Sequence, residues 1–172
     1  MRIRIQPAGA FSLVEIAIAL AVVAMCLTAI LGLLGVGAGA NRDSLEQTAA
    51  ASLSREIYMD ISAAASGAAT TGTSPRFGFV IPSPGATPIW PDTLYFSDNG
   101  QSTRVGQSPA SLPAGVSPRY RANVRLTPPT DSTGPATARI LITWPALADP
   151  NPGNAPANYS GSFEVFAAVG KD

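Results

Sequence analysis

The stretch FSLVEIAIALAVVAMCLTAILGLLGVGAGA, residues 11–40, decides the fold because it is a long apolar run near the start of the chain. From Ile16 to Ala40 it contains no charged residue. A helix needs about 20 such residues to cross a bilayer, so the run predicts a transmembrane helix. One acidic residue, Glu15, lies at its entrance, where a carboxylate is costly to bury. Any function assigned to the run must therefore account for Glu15.

The overall composition excludes several classes of function. The chain has 172 residues with 11 basic and 11 acidic side chains, so it lacks the basic footprint of a nucleic-acid-binding protein. It has no histidine to activate a nucleophile, and its one cysteine, Cys26, lies within the apolar run. The segments SDNG (97–100) and DPNPGN (149–154) lack the carboxylate spacing of a calcium loop. We therefore predict no enzymatic activity, no catalytic residue, no cofactor and no metal site.

The charges that flank the apolar run predict its orientation. Arg2, Arg4 and the α-amino group precede it, whereas residues 41–60 carry two basic and four acidic side chains. Positive flanks stay in the cytoplasm. The sequence therefore predicts a single-pass protein of the inner membrane, with a cytoplasmic N-terminus and a periplasmic C-terminal domain.

Three interpretations compete for this segment. A secretory signal peptide is favoured by Ala38-Gly39-Ala40, which fits a cleavage site, but the apolar run is far longer than the usual 7–15 residues. A plain anchor leaves unexplained a carboxylate that costs about 3 kcal/mol at the centre of a bilayer. A short basic leader, residues 1–10, removed before Phe11, makes Glu15 the fifth residue of the mature chain.

The motif FSLVE (11–15), after the leader MRIRIQPAGA, resembles the type IV pilin and pseudopilin family. The resemblance implies cleavage between Ala10 and Phe11 by a prepilin peptidase, and N-methylation of Phe11. It also implies that the Glu15 carboxylate meets the N-terminal amine of a neighbouring subunit, since paired charges cost less in hydrocarbon than isolated ones. The family normally has glycine before the cut, where this chain has Ala10. The whole chain also resembles the prepilin-like cassette proteins of Verrucomicrobia (Verru_Chthon cassette, type B).

The helix is expected to continue beyond the membrane. Apolar residues recur every four positions at Leu45, Ala49, Leu53, Ile57 and Ile61, which predicts an amphipathic helix with one apolar stripe. The predicted organisation is a leader over 1–10, a transmembrane half-helix over 11–40, an amphipathic half-helix over 41–66 and an antiparallel β-sheet domain over 67–172.

The remainder of the chain predicts strands. Fifteen of the 16 prolines follow residue 74, which disfavours further long helices. Alternating patterns predict strands over 76–81, 93–96, 101–105, 119–126, 138–144 and 160–169. One sheet face should pack on the helix, with Tyr120 and Trp144 directed to it, and the other should be solvated, with Arg119, Arg121 and Arg125 as a basic ridge. The expected fold class is α+β, a long N-terminal helix packed on a small antiparallel sheet, pilin-like.

The predicted function is that of a structural, minor subunit in a type IV pilus-like or type II secretion pseudopilus-like filament. Its expected partners are a prepilin peptidase, other pilin-like subunits that contact its N-terminal helix, and inner-membrane lipid. The alternative is a membrane-tethered extracytoplasmic binding module that does not polymerise. A plain tether requires neither Glu15 nor the leader, so these two features distinguish the alternatives.

Overall fold

A computed structural model describes residues 12–67, 72–87, 91–131, 134–148 and 159–170. Its elements are α1 (Leu13–Ala65), β1 (Asp92–Ser97), β2 (Pro118–Thr127), β3 (Ala136–Trp144) and β4 (Gly161–Val169), with short 3₁₀ turns at Pro109–Ser111 and Ala146–Ala148. The C-terminal part of α1 packs on a four-stranded antiparallel sheet. The predicted α+β fold is therefore confirmed.

The chain divides into two compact units, Met1–Ser44 and Leu45–Asp172. The described part of the first unit is the N-terminal portion of α1. The second unit contains the rest of α1 and the sheet. The boundary falls after Ser44, so the amphipathic portion of the helix belongs with the sheet that covers it.

The sheet is a simple meander in the order β1-β2-β3-β4. Each strand pairs antiparallel with the next, and the register joins Arg121 to Thr143 and Ile142 to Phe163. Four of the six predicted strands correspond to these elements. Neighbours in sequence are neighbours in space, which is the arrangement that short connections favour.

The core lies between one sheet face and α1. From α1, Ile57 and Ile61 are fully buried, and Phe77 and Phe79 from the following segment join them. The sheet contributes Leu94, Phe96, Tyr120, Ala122, Val124, Leu126, Ala136, Ala138, Ile140, Ile142 and Trp144. The prediction that Tyr120 and Trp144 face the core is confirmed, and their rings meet edge to face with centroids 6.3 Å apart.

The buried stripe of α1 differs from the predicted one. Leu45 is 63% exposed, whereas Glu46 and Ala50, which lie off the predicted line, are buried. Successive residues of an α-helix are rotated by about 100°, so Leu45, twelve residues before Ile57, lies about 120° around the helix from it. Of the predicted stripe, Leu45 therefore lies away from the sheet, Ala49 and Leu53 pack against the core while only partly buried, and Ile57 and Ile61 are fully buried.

The segment 76–81, predicted as a strand, forms a turn that is joined by a single bridge between Thr73 and Val80. Gly78 has φ +84°, which ends an extended conformation. The buried carboxylate of Asp60 accepts hydrogen bonds from the backbone N–H groups of Arg76 and Phe77, both at 2.9 Å. The phenylalanines therefore reach the core through a turn that α1 holds in place, and the strand prediction was wrong.

The strand predicted over 101–105, the second strand of a hairpin, is present only as an isolated bridge. Ser102 makes an isolated bridge with Phe96, and the backbone N–H of Thr103 donates to the carbonyl of Tyr95 at 3.0 Å. The glycine of the SDNG turn, Gly100, has φ +78°, as the turn prediction requires.

The second face of the sheet is not fully solvated, so the predicted basic ridge needs correction. Arg121 is 2% exposed, and Asn123 and Thr143 beside it are buried as well. The turn Ala146–Ala148, which follows β3, contacts β2. Of the three predicted ridge arginines, Arg125 is exposed, Arg119 is half-buried and Arg121 is buried. Alternation correctly predicted which residues share a face, but it could not predict that Arg121, Asn123 and Thr143 on the second face would be buried.

Asp92 gives the sheet a pH-dependent contribution. It shares the core face of β1 with Leu94 and Phe96, and burial raises the pKa of its carboxyl above the ordinary 3.8. Because the pKa is higher in the folded state, stability is greatest below the unfolded value and falls as pH rises through the folded value. We therefore expect Asp92→Asn to raise the melting temperature slightly at pH 7.

The same substitution should have no effect near pH 3, where wild-type Asp92 is protonated in both states. Asp43→Asn, on the exposed surface of α1, is the matched control for the loss of a carboxylate and should change the melting temperature less than Asp92→Asn does at pH 7. The measurement is calorimetry of the full chain in detergent micelles between pH 3 and pH 8. A melting temperature of Asp92→Asn that tracks the wild type across this range would contradict the assignment.

Candidate functional site

The apolar half of α1 is the feature of this chain that most needs a partner. Its large apolar side chains lie on all sides of the helix, and every one of the following is more than half exposed: Leu13, Val14, Ile16, Ile18, Leu20, Val22, Val23, Met25, Leu27, Ile30, Leu31, Leu33 and Leu34. A helix that is apolar all round is a core helix or a membrane helix. None of the most apolar window is buried within the protein. Among the described residues, α1 is the one helix long and apolar enough to cross a membrane.

Glu15 lies in the first turn of this helix. Its backbone N–H donates to the carbonyl of Ser12 at 2.9 Å, and the N–H of Ile16 donates to the same carbonyl at 3.2 Å. The side chain is exposed, with apolar neighbours Val14 and Ile16 that are also exposed. The carboxylate is thus presented outward, at the positive end of the helix dipole.

A local role for Glu15 must be weighed beside an assembly role. Ser12 and Glu15 have the S-x-x-E spacing of a capping box, in which a glutamate stabilises the start of its own helix. Capping explains an acid in the first turn of any helix. Capping alone does not explain why this acidic residue lies at the start of a segment that could cross a membrane, where a carboxylate is costly.

The predicted cleavage site, Ala10 and Phe11, lies outside the described residues. Its processing and methylation remain predictions. The described structure begins at Ser12, one residue after Phe11.

Sequence reasoning missed a partly buried ion pair at the start of the β-sheet unit. Glu46, 6% exposed, pairs with the guanidinium of Arg119 on β2, and Asp98 approaches the Nε of Arg119 at 3.7 Å. The pair joins α1 to the sheet within the second unit. No sequence signal identified it, because both residues lie in patterns that read as solvent-exposed.

The β-sheet unit offers little chemistry. Where the chain is described, no group of three or more His, Cys, Asp or Glu residues could hold a metal ion. Several of its charges are engaged in ion pairs, Arg76 with Glu56 and Arg139 with Glu164. Arg76 and Arg139 also lie near the rings of Phe77 and Phe166.

Comparison of the chain with protein-family models, with curated proteins and with solved structures finds no significant match.

Proposed function

We propose that this protein is a minor structural subunit of a pilus-like or pseudopilus-like filament, processed by a prepilin peptidase and assembled through α1. The observation that supports the proposal is the combination of an outward carboxylate at the first turn with an apolar half-helix exposed on all sides. A membrane would cover the apolar side chains. Lipid would leave the Glu15 carboxylate without a counter-ion, whereas a positively charged group of a neighbouring subunit would neutralise it.

The proposed assembly step follows from the cost of charge in hydrocarbon. Removal of residues 1–10 creates a new amine at Phe11, four residues before Glu15. Both charges are expensive in isolation and much less so as a pair. When the amine of one subunit meets the Glu15 carboxylate of its neighbour, only one axial offset between the helices neutralises both groups. The pairing therefore selects a single stagger along a filament.

The β-sheet unit would then decorate the outside of the assembly. The partly buried pair Glu46–Arg119 attaches α1 to β2, and the carboxylate of Asp60 attaches α1 to the backbone of Arg76 and Phe77.

Crosslinking in membranes tests this assembly. The chain has one cysteine, Cys26, exposed on the apolar half-helix, and an added side chain at Gly37 meets nothing within 4 Å. A Gly37→Cys variant thus carries two reactive positions, and a bifunctional thiol reagent should link it into a ladder of species. The wild type with Cys26 alone should give dimers only, and Cys26→Ser should give none.

A tethered module that does not polymerise predicts monomers for all three proteins. That result, obtained at native expression with processing verified on the same gel, would contradict the filament proposal.

A further inference from the structure

The strands β2, β3 and β4 carry an excess of positive charge. They contain four arginines and one acidic residue, Glu164. Arg119 is engaged in an ion pair with α1, and Arg121 is only 2% exposed. The other two arginines, Arg125 and Arg139, are exposed. The positive charge that these strands present to solvent therefore lies at these two residues.

The two exposed arginines form a row with an aromatic residue, which we call the outer row. Arg125 on β2 lies directly opposite Arg139 on β3, and Arg139 lies directly opposite Phe166 on β4. All three are exposed, and Phe166 is 67% exposed. The guanidinium of Arg139 lies over the ring of Phe166, 5.8 Å from its centroid, and also pairs with the carboxylate of Glu164. The outer row thus presents two cations and an aromatic ring side by side.

The position of Arg125 is unfavourable for the fold itself. Like charges directly opposite each other on paired strands are destabilising. Glu164 offsets the charge of Arg139, but within the described part of the chain no carboxylate pairs with Arg125. Natural proteins tolerate such a violation of a local rule mainly at functional sites. The arrangement therefore indicates that an anion from outside the fold supplies the counter-charge.

The neighbours of Arg125 determine which anion fits. A guanidinium can donate two parallel hydrogen bonds to one carboxylate. The exposed ring of Phe166 offers a surface on which an apolar side chain can be buried. A nucleic acid fits less well, because its successive phosphates would bring further negative charge beside Glu164, which Arg139 holds next to the ring. The outer row therefore matches one acidic and one apolar side chain of a polypeptide.

The register of the sheet sets the distance between these two anchors. Arg125 and Phe166 are two strands apart, so their backbones are separated by about 10 Å. Residues seven apart on an α-helix lie on the same face and are also about 10 Å apart along its axis. Residues two or four apart on an extended strand, separated by about 7 or 13 Å, match less closely.

We propose that the outer row binds an acidic amphipathic helix of a partner protein. A carboxylate of that helix pairs with Arg125, and an apolar side chain two turns along packs on Phe166. Arg139 stays paired with Glu164 and lies between the two anchors. This site belongs to the β-sheet unit and does not depend on the assembly role proposed for Glu15.

Double-mutant cycles with a defined probe test the contact. The probe is a capped, alanine-rich helical peptide with glutamate and leucine seven residues apart, and the full chain in detergent micelles, with its leader intact, should bind it saturably. Arg125→Gln should weaken binding severalfold. Replacing the glutamate of the peptide by glutamine should cost the wild type the same factor and should cost Arg125→Gln nothing further. Phe166→Ala and a peptide with alanine in place of leucine should be coupled in the same way.

A matched control and a stability measurement complete the test. Arg55→Gln removes another exposed arginine, on α1, and should leave the affinity for the peptide unchanged. Arg125→Gln should raise the melting temperature of the full chain in micelles, whereas Arg55→Gln should not, because only the first change relieves repulsion between paired strands.

Several outcomes would overturn the proposal. They are absence of saturable binding, equal losses of affinity in Arg125→Gln and Arg55→Gln, additive effects in the cycles, and a melting temperature of Arg125→Gln that is unchanged or lower. A single-stranded oligonucleotide that binds more tightly than the peptide, and loses affinity in Arg125→Gln, would assign the outer row to polyanions and overturn it too. None of these measurements depends on cleavage or assembly, so they can fail while the filament proposal stands.

Discussion

Replacing Trp144 by alanine should lower the free energy of unfolding of the β-sheet unit by about 3–5 kcal/mol. The indole is 7% exposed and contacts both the edge of the Tyr120 ring and the strand opposite. Its removal leaves a cavity on the core face of the sheet, beside Tyr120 and over Gly161. Calorimetry of the full chain in micelles measures the loss.

Gly161 provides a second, independent test of the same contact. It pairs with Trp144 in the register, and a Cβ placed on it would lie 2.4 Å from the indole. The indole is rigid and buried, so it cannot move aside as a flexible side chain would. We expect Gly161→Ala to cost about 1–3 kcal/mol, the usual range for overpacking. Gly170→Ala, whose nearest contact would be Pro135 at 3.7 Å, is the matched control and should be nearly neutral.

The two substitutions should also be strongly coupled. In a Trp144→Ala background the obstruction is gone, so Gly161→Ala should cost little, and the double-mutant cycle should give a coupling free energy of about 1 kcal/mol or more. Additive effects would show that the indole does not lie over Gly161.

The second large effect is expected at Glu15. Glu15→Leu should abolish crosslinking between subunits while leaving membrane insertion and cleavage intact. Insertion should improve slightly, since a costly charge next to the apolar run is removed. Cleavage should persist because the peptidase acts on the bond between Ala10 and Phe11. The readout is the crosslinked ladder of the Gly37→Cys variant, with processing followed on the same gel.

Two controls separate assembly from helix capping. Glu15→Asp keeps the charge with a shorter reach and should weaken the ladder without removing it. Glu15→Gln can still bond to backbone N–H groups of the first turn but cannot neutralise an amine, so it should behave like Glu15→Leu. An unchanged ladder in Glu15→Gln would assign the residue to its own helix and favour the tethered-module alternative.

The parts of the fold that sequence reasoning predicted well are those in which one local pattern decides the structure. The alternation in β2, β3 and β4 identified each strand and the face that carries Tyr120, Ile142 and Trp144. The uncharged run identified the helix that could cross a membrane.

The predictions that were wrong concern residues whose environment depends on contacts with distant parts of the chain. Segment 76–81 alternates like a strand, but Asp60, sixteen residues earlier, holds its backbone in a turn. Glu46 and Arg121 look solvent-exposed in sequence, but the packed fold buries both of them, and Glu46 pairs with Arg119. Glu15 could be identified as the candidate assembly residue from the sequence alone, because an acidic residue at the entrance of a long apolar run is a local pattern.

The mass of the mature chain tests the filament-subunit proposal most directly. Protein extracted from membranes of a host with a prepilin peptidase should lack residues 1–10 and begin at Phe11 with one added methyl group. The same host without the peptidase should yield the uncleaved chain. A mature chain that begins at Asn41 would identify residues 1–40 as a signal peptide, and a chain that keeps Met1 in both hosts would identify a plain anchor. Either result would contradict the proposal.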